Sequence, residues 1–295
     1  MQNPTSAKPM TMTRHGRFLL RAWLGLLLAF AMPAAPARAA EAYSFAVAPQ
    51  FERHKLFAIW NPIVEEVQRR SGVKLRLMAT LTMPEYEKGM PKGAFDFVYA
   101  NPYHIYHEAH GQGYIPLVRD STPLRGILVV RKDSPLRDVR ELNGKVLAVP
   151  SPNALGASLL LRAELERLHH VSMRPLYVKT HSSVYLHVAN GLVDAGGGVE
   201  KTLAEEDAAV KDRLRVLYTT QTFVSHPVAA HPRVPAEVRE KIRRALLDMD
   251  ATPEGHRLLA AVPFKKPIAT SLRDYEPLQQ LHLESYWVNE EKQAP

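Results

Sequence analysis

The sequence predicts an α/β protein of two lobes, each a mostly parallel sheet flanked by helices, with the chain crossing between the lobes twice. Three observations predict it. Short apolar segments alternate with longer segments of helical period, which is the pattern of βα units. The alternation breaks at Asp133-Ser134-Pro135 and then starts afresh. Beyond an expected export signal, about 256 residues remain, enough for two lobes of ordinary size.

In chain order, strands are expected at Tyr43–Ala48, Leu75–Ala79, Phe95–Ala100 and Gly126–Arg131, with helices near Lys55–Arg70, Pro84–Met90 and Tyr103–His110 between them. The second set begins with strand Lys145–Val149 and a helix opening at Asn153. It continues with strand Leu176–Lys179, a helix from Ser183 to a stop at Asn190-Gly191, strand Asp194–Gly197 and a helix from Glu200. Strand Leu214–Thr219 and the extended Val228–His231 lead to helices at Ala236–Met249 and Glu254–Ala260, and a last helix near Tyr275. The expected division is residues 1–39 as a signal peptide, 40–131 with about 222–295 as lobe 1, and 132–221 as lobe 2.

The signal rests on Lys8, Arg14, Arg17 and Arg21, the apolar run Leu24–Ala31, and small residues ending Ala37-Arg38-Ala39. The run stops at Met32-Pro33, short of the roughly 20 residues that a membrane-spanning helix needs. Cleavage after Ala39 is expected, and a soluble mature chain. The absence of cysteine removes disulfides and the lipid-anchored form of export. Five of the 38 Lys and Arg, and no acidic residue, lie in residues 1–39, so the formal charge falls from +8 to +3 and nucleic-acid binding loses its main support.

In open α/β sheets, ligands sit beyond the carboxyl ends of strands, where helix N-termini present unpaired N–H groups. One such place is Val149-Pro150-Ser151-Pro152-Asn153-Ala154-Leu155-Gly156-Ala157-Ser158. Asn153 suits an N-cap, and the first turn leaves the N–H groups of Leu155, Gly156 and Ala157 for an anion. An ordinary capped helix explains the same residues. A second helix start, Lys179-Thr180-His181-Ser182-Ser183, gathers hydroxyls and an imidazole able to donate to an oxyanion, or simply to cap the helix. The glycines of Val193-Asp194-Ala195-Gly196-Gly197-Gly198 permit close backbone approach to a ligand or to the opposite lobe, or form a tight turn. In the first lobe, Gln50 follows the first strand, and Asn101 and Tyr103 follow the third.

His104, His107 and His110 recur every third residue beside Glu108. At about 100° per residue, His110 lies some 120° around a helix from His104, so one ion cannot draw on all three, and no metal or cofactor is expected. Catalysis lacks a nucleophile elbow, paired carboxylates or a thiol, so no enzyme activity and no catalytic residue are expected.

The residues Asp96-Phe97-Val98-Tyr99-Ala100-Asn101-Pro102-Tyr103, Asn143-Gly144-Lys145-Val146 leading to Ser151-Pro152-Asn153, Thr180-His181-Ser182, Val193-Asp194-Ala195, and His226-Pro227 before His231-Pro232-Arg233-Val234-Pro235 resemble the phosphate/phosphite/phosphonate substrate-binding components of ABC transporters. These are a branch of the type II periplasmic binding proteins, and the resemblance runs from about Ser44 to Tyr286. It implies two lobes on two hinge strands closing over a solute, then docking on a membrane permease. Carried over, the helix start at Ser151–Ala157, with Ser151, Asn153, Leu155 and Gly156, holds the oxyanion, His181 and Ser182 contact it, and the loop at His226 lines the far wall; Thr180 beside them, and Gln50, Asn101 and Tyr103 from the first lobe, complete the candidate ligand contacts. Where similar phosphonate binders carry a Ser-Thr-Ser-Gly cluster, this chain has Ala154-Leu155-Gly156-Ala157, and His226 stands where a carboxylate is common. The first departure leaves more of the anion's binding to backbone donors; the second, with the glycines after Asp194, favours a simpler anion over an aminophosphonate. The resemblance thus implies a monomeric periplasmic solute-binding protein. Its alternative is a sensory protein that presents the same bound solute to a membrane kinase or chemoreceptor.

Overall fold

Alternating side chains along the first strand, Tyr43–Val47 (β1), already serve two cores, Phe45 and Val47 on one face and Ala46 on the other. The computed structural model describes residues 42–288 apart from 80, 263 and 265, and the expected signal peptide lies outside the described residues. Helix α1 (Arg53–Ser71) buries Leu56, Trp60, Ile63, Val64 and Val67 along one stripe and stops at Gly72, whose φ of 69° is the left-handed cap. Then follow β2 (Leu75–Met78), α2 (Met83–Gly89), β3 (Phe97–Tyr99) and α3 (Pro102–Gly111). Thr82 and Glu85 form a capping box on α2, and Asn101 caps α3 by accepting from His104 N. Next comes β4 (Ile115–Asp120), a strand not expected from the sequence.

Strand β5 (Leu124–Arg131) opens the second sheet. It is followed by β6 (Val146–Val149), a π-helical turn at Leu155–Leu159 continuing as α4 (Leu160–His169), β7 (Arg174–Tyr177), α5 (His181–Ala189), β8 (Ala195–Val199), α6 (Glu200–Ala204), α7 (Ala208–Lys211) and β9 (Leu214–Phe223). The chain then returns to the first sheet with β10 (Pro227–Ala230). It ends in α8 (Ala236–Asp248), α9 (Pro253–Ala260), the short β11 (Pro267–Ala269) and 3-10 turns at Leu272–Asp274 and Glu276–Leu281, where a last helix was expected.

The sheet orders are β11-β4-β10-β3-β1-β2 and β7-β6-β8-β5-β9. Both are mixed rather than mostly parallel. β1 runs parallel to β2 and β3, and β6 to β7 and β8, whereas β4, β10 and β11 pair antiparallel, as do β5 with β8 and β9. A second correction concerns Gly126–Arg131, expected in the first lobe, which lies between β8 and β9 of the second sheet. The crossings are therefore the short links 121–123 and 224–226. Both sheets are covered on both faces, which is why their central strands read as near-continuous apolar runs. A further apolar cluster joins the lobes, with Tyr103 of α3 and Leu155, Leu159 and Leu160 packed against Tyr275, Leu278 and Leu283.

Candidate functional site

The carboxyl ends of β1, β3, β6 and β8 and the second crossing converge on one chamber between the lobes. Its walls are Ala48, Gln50, Met83, Asn101 and His104 from one side, Ala154–Ala157, His181 and Val199 from the other, and His226 from the crossing. Its free volume is about 30 Å³. A water-sized group needs roughly 10–15 Å³ of such space, so the chamber suits a group of a few heavy atoms. A second chamber of about 20 Å³ shares Gln50, Val199 and His226 with it and is also lined by Asp120 and Lys201.

Contacts across the cleft hold the lobes closed. His181 N donates to Gln50 O at 3.1 Å, Thr180 Oγ1 to Glu52 Oε1 at 3.1 Å, Lys55 Nζ to Glu205 O at 2.9 Å, and Asn101 Nδ2 to Asn153 O at 3.2 Å. Lys201 of α6 pairs with the buried carboxylate of Asp120 at the end of β4.

The helix start beside the chamber differs from the expected one. Asn153 does not cap it. Ala154 holds the cap position with φ −67° and ψ 110° and contributes no side-chain bond. Its carbonyl accepts from both Ser158 N at 2.8 Å and Leu159 N at 3.1 Å, so the first turn is widened. The N–H groups of Leu155, Gly156 and Ala157 have no intrahelical acceptor, as in any first turn, and these residues line the chamber. The glycines of β8 make this placement possible. A Cβ on Gly197 would stand 2.0 Å from Ala157 O, and one on Gly126 of β5 would stand 2.3 Å from Gly156 O. They form a strand rather than a turn, and what they admit is the widened turn itself.

Six of the residues singled out from the sequence thus meet at the chamber: Gln50, Asn101, Leu155, Gly156, His181 and His226. Five do not line it. Tyr103 is buried in the junction between lobes with its ring 5.4 Å from Trp287. Ser151 is buried short of the wall. Asn153 turns to the C-terminal segment, donating to Val288 O at 2.8 Å and accepting from Val288 N at 2.9 Å. Thr180 caps α5 by accepting from Ser183 N at 3.1 Å, and Ser182 donates to Glu206 Oε1 at 2.6 Å. Both hydroxyls are thus engaged away from the chamber, that of Thr180 by its own helix and by Glu52, that of Ser182 by Glu206.

His104, absent from the sequence candidates for this site, is present in the wall. It is the third residue of α3, so the Asn101 cap that sets the helix start also turns its ring into the cleft. Its Nδ1 meets the Asn101 amide, and its Nε2 lies 3.3 Å from Glu87 Oε1. His107 stacks at 4.6 Å on Trp287, whose ring also lies 5.2 Å from that of His104, and His110 bonds to Tyr106 O.

The electrostatics of the chamber come from imidazoles and dipoles. Among the described residues, no Asp, Glu, Lys or Arg lines it. His181 is 5% exposed, and its Nδ1 has no partner among the described residues. Burial pushes its pKa down to about 4. Burial, and then the charge of Lys201, push His226 down to about 3. His226 is held by Tyr99, stacked at 5.4 Å, with Gln50 Nε2 3.4 Å from its Nε2.

Residues 45–275 match the family model of the phosphonate periplasmic substrate-binding protein of ABC transporters. The chain is 22% identical over 267 residues to the phosphonates-binding periplasmic protein of Escherichia coli, spanning 84% of this chain and 79% of that one. It is 20% identical over 225 residues to the phosphate-import protein PhnD of Mycolicibacterium smegmatis, spanning 69% and 70%. Among solved structures, it superposes with a TM-score of 0.74 on a binding protein component of an ABC phosphonate transporter from Pseudomonas aeruginosa, at 16% identity over 81% of this chain and 85% of that one. The TM-score is also 0.74 for PhnD1 of Prochlorococcus marinus, solved in complex with methylphosphonate, at 13% identity over 81% and 96%. With the match to the family model spanning most of its length, this chain belongs to the phosphonate periplasmic substrate-binding proteins of ABC transporters.

Proposed function

We propose that this protein captures a small tetrahedral oxyanion of the phosphate, phosphite or phosphonate type between its lobes and hands it to an ABC permease without transforming it. The observation that carries this reading is the pairing, in one chamber between the lobes, of the first-turn N–H groups of Leu155, Gly156 and Ala157 with the buried imidazole of His181, whose Nδ1 has no partner among the described residues. Backbone N–H groups at a helix start favour anions, and no carboxylate among the described residues lines the chamber to repel one. The named ligands of the relatives point the same way. The working form is a periplasmic monomer cleaved after Ala39 that does not engage nucleic acid.

Titration calorimetry of the chain from Ala40 onward, against phosphate, phosphite, methylphosphonate, aminoethylphosphonate and sulfate, tests the reading. One phosphorus oxyanion should bind saturably, and aminoethylphosphonate more weakly than methylphosphonate. His181→Ala should weaken binding by roughly ten- to a hundredfold, the value of a hydrogen bond to a charged group. Silence across all five anions rejects the ligand class.

A further inference from the structure

Among the described residues, no permanent positive charge lines the inner chamber, whose wall offers backbone N–H groups, the amides of Gln50 and Asn101, and the rings of His104, His181 and His226. Moving a multiply charged anion from water into a closed space is costly unless charge is matched there. Among the lining residues, only the imidazoles gain a positive charge by taking up a proton.

The three rings are not equivalent. His104 has its Nδ1 against Asn101 and its Nε2 toward Glu87, so its nitrogens already face protein groups. His181 Nδ1 is buried without a partner among the described residues. His226 sits on the crossing between β9 and β10, at the wall common to both chambers. Tyr99 of β3 stacks on one side of it, Gln50 beyond β1 reaches its Nε2, and the Lys201–Asp120 pair of α6 and β4 lies across the second chamber. The acids near His181 are engaged elsewhere, Glu52 with Thr180 and Glu206 with Ser182.

We propose that His226 sets the charge class of the ligand: it works with His181 as a proton-accepting clamp, so that the cleft takes up an oxyanion and a proton together. This rests on the oxyanion reading above. No covalent bond is made or broken. A proton passes from solvent to the His226 ring as the anion enters, and the imidazolium then faces the anion's charge. Burial keeps both rings neutral in the empty chamber, and the anion supplies the favourable field that was missing. Gln50 accommodates the change. Its Nε2 donates to a neutral His226 Nε2, and a flip of the amide presents its oxygen to the protonated ring. An imidazolium in this place repels a cationic substituent, so the clamp selects anions of higher negative charge that lack an amine.

The test is titration calorimetry of the exported chain with phosphate and with methylphosphonate, in paired buffers of different ionisation enthalpy, from about pH 6 to about pH 8, the range in which an imidazole responds. Beyond the ligand's own titration, the wild type should take up about one proton per anion, and its affinity should rise by up to roughly tenfold per unit of acidification. His226→Gln should lose that uptake and flatten the pH profile while still binding. Equal proton counts in wild type and His226→Gln overturn the proposal. Should the variant not fold, the wild-type count decides alone, and binding without proton uptake rejects the clamp while leaving the oxyanion reading intact. Failure to bind either anion at any pH removes both.

Discussion

Asn153 shows how one side chain acquires its work from the fold. Its type and its place before an apolar helical run suit a helix cap. Tertiary structure gives it a better set of partners in Val288 N and O, with Glu87 Oε2 at 3.5 Å across the cleft. It is 1% exposed, so removing its amide leaves buried groups unpaired. Asn153→Ala should lower stability by about 1–3 kcal/mol in urea unfolding. It should also free the C-terminal segment, seen as increased amide exchange at Val288. Thr180 makes the opposite case. Expected as a ligand contact, it caps its own helix by accepting from Ser183 N, and that cap is the reason it does not face the chamber.

At the scale of elements, the Asn190-Gly191 stop was read from the sequence because it is local, and the structure adds caps of the same local kind at Thr82 with Glu85, at Asn101 and at Gly72. Strand β4 was not, since Pro116 speaks against a ladder strand. The sheet accepts Pro116 opposite Ala229, where the register of β10 shifts. Strand β11, three residues on a sheet edge, carries too little pattern to be seen. The glycines of β8 were noticed, but their use depends on a turn some forty residues earlier in sequence. Gly197→Ala forces its Cβ onto Ala157 O, so it should cost about 1–3 kcal/mol in thermal unfolding. It should weaken anion binding too, by displacing the first-turn N–H groups. Gly111→Ala, whose Cβ meets only the Glu108 side chain at 3.6 Å, serves as the control and should change neither.

At the scale of the molecule, closure and acidity are linked. The lobes meet through the chamber, and behind it the C-terminal segment ties them together. Trp287 stacks on His107 of α3, while Arg162 and Arg167 of α4 donate to Tyr286 O and Leu281 O. His181 and His226 have folded pKa values near 4 and 3, below their ordinary 6.5. Between those values and 6.5, the unfolded chain binds the extra protons. Stability is therefore complete above about pH 6.5 and is lost as the pH falls toward 4. The melting temperature of the empty protein should drop between pH 7 and pH 5, by the equivalent of about 2 kcal/mol per imidazole. A bound oxyanion should suppress the drop. A melting temperature independent of pH over this interval, with no ligand present, would place both rings in contact with water.

The α/β class, the order of most elements, and the family resemblance carried by stretches such as Asp96–Tyr103 and Thr180-His181-Ser182 were determined by the sequence alone, because periodicity, caps and short motifs are local properties of the chain. Strand direction, the sheet to which Leu124–Arg131 belongs, and the wall of the chamber were decided only by tertiary structure. Pairing partners lie far apart in sequence, and a run buried on both faces reads alike in either direction. The same holds for charge. A histidine at position 104, 181 or 226 is only a titratable group in the sequence. Folding puts all three around one chamber whose described wall holds no lysine, arginine or carboxylate, because desolvation and proximity exist only once the lobes have closed.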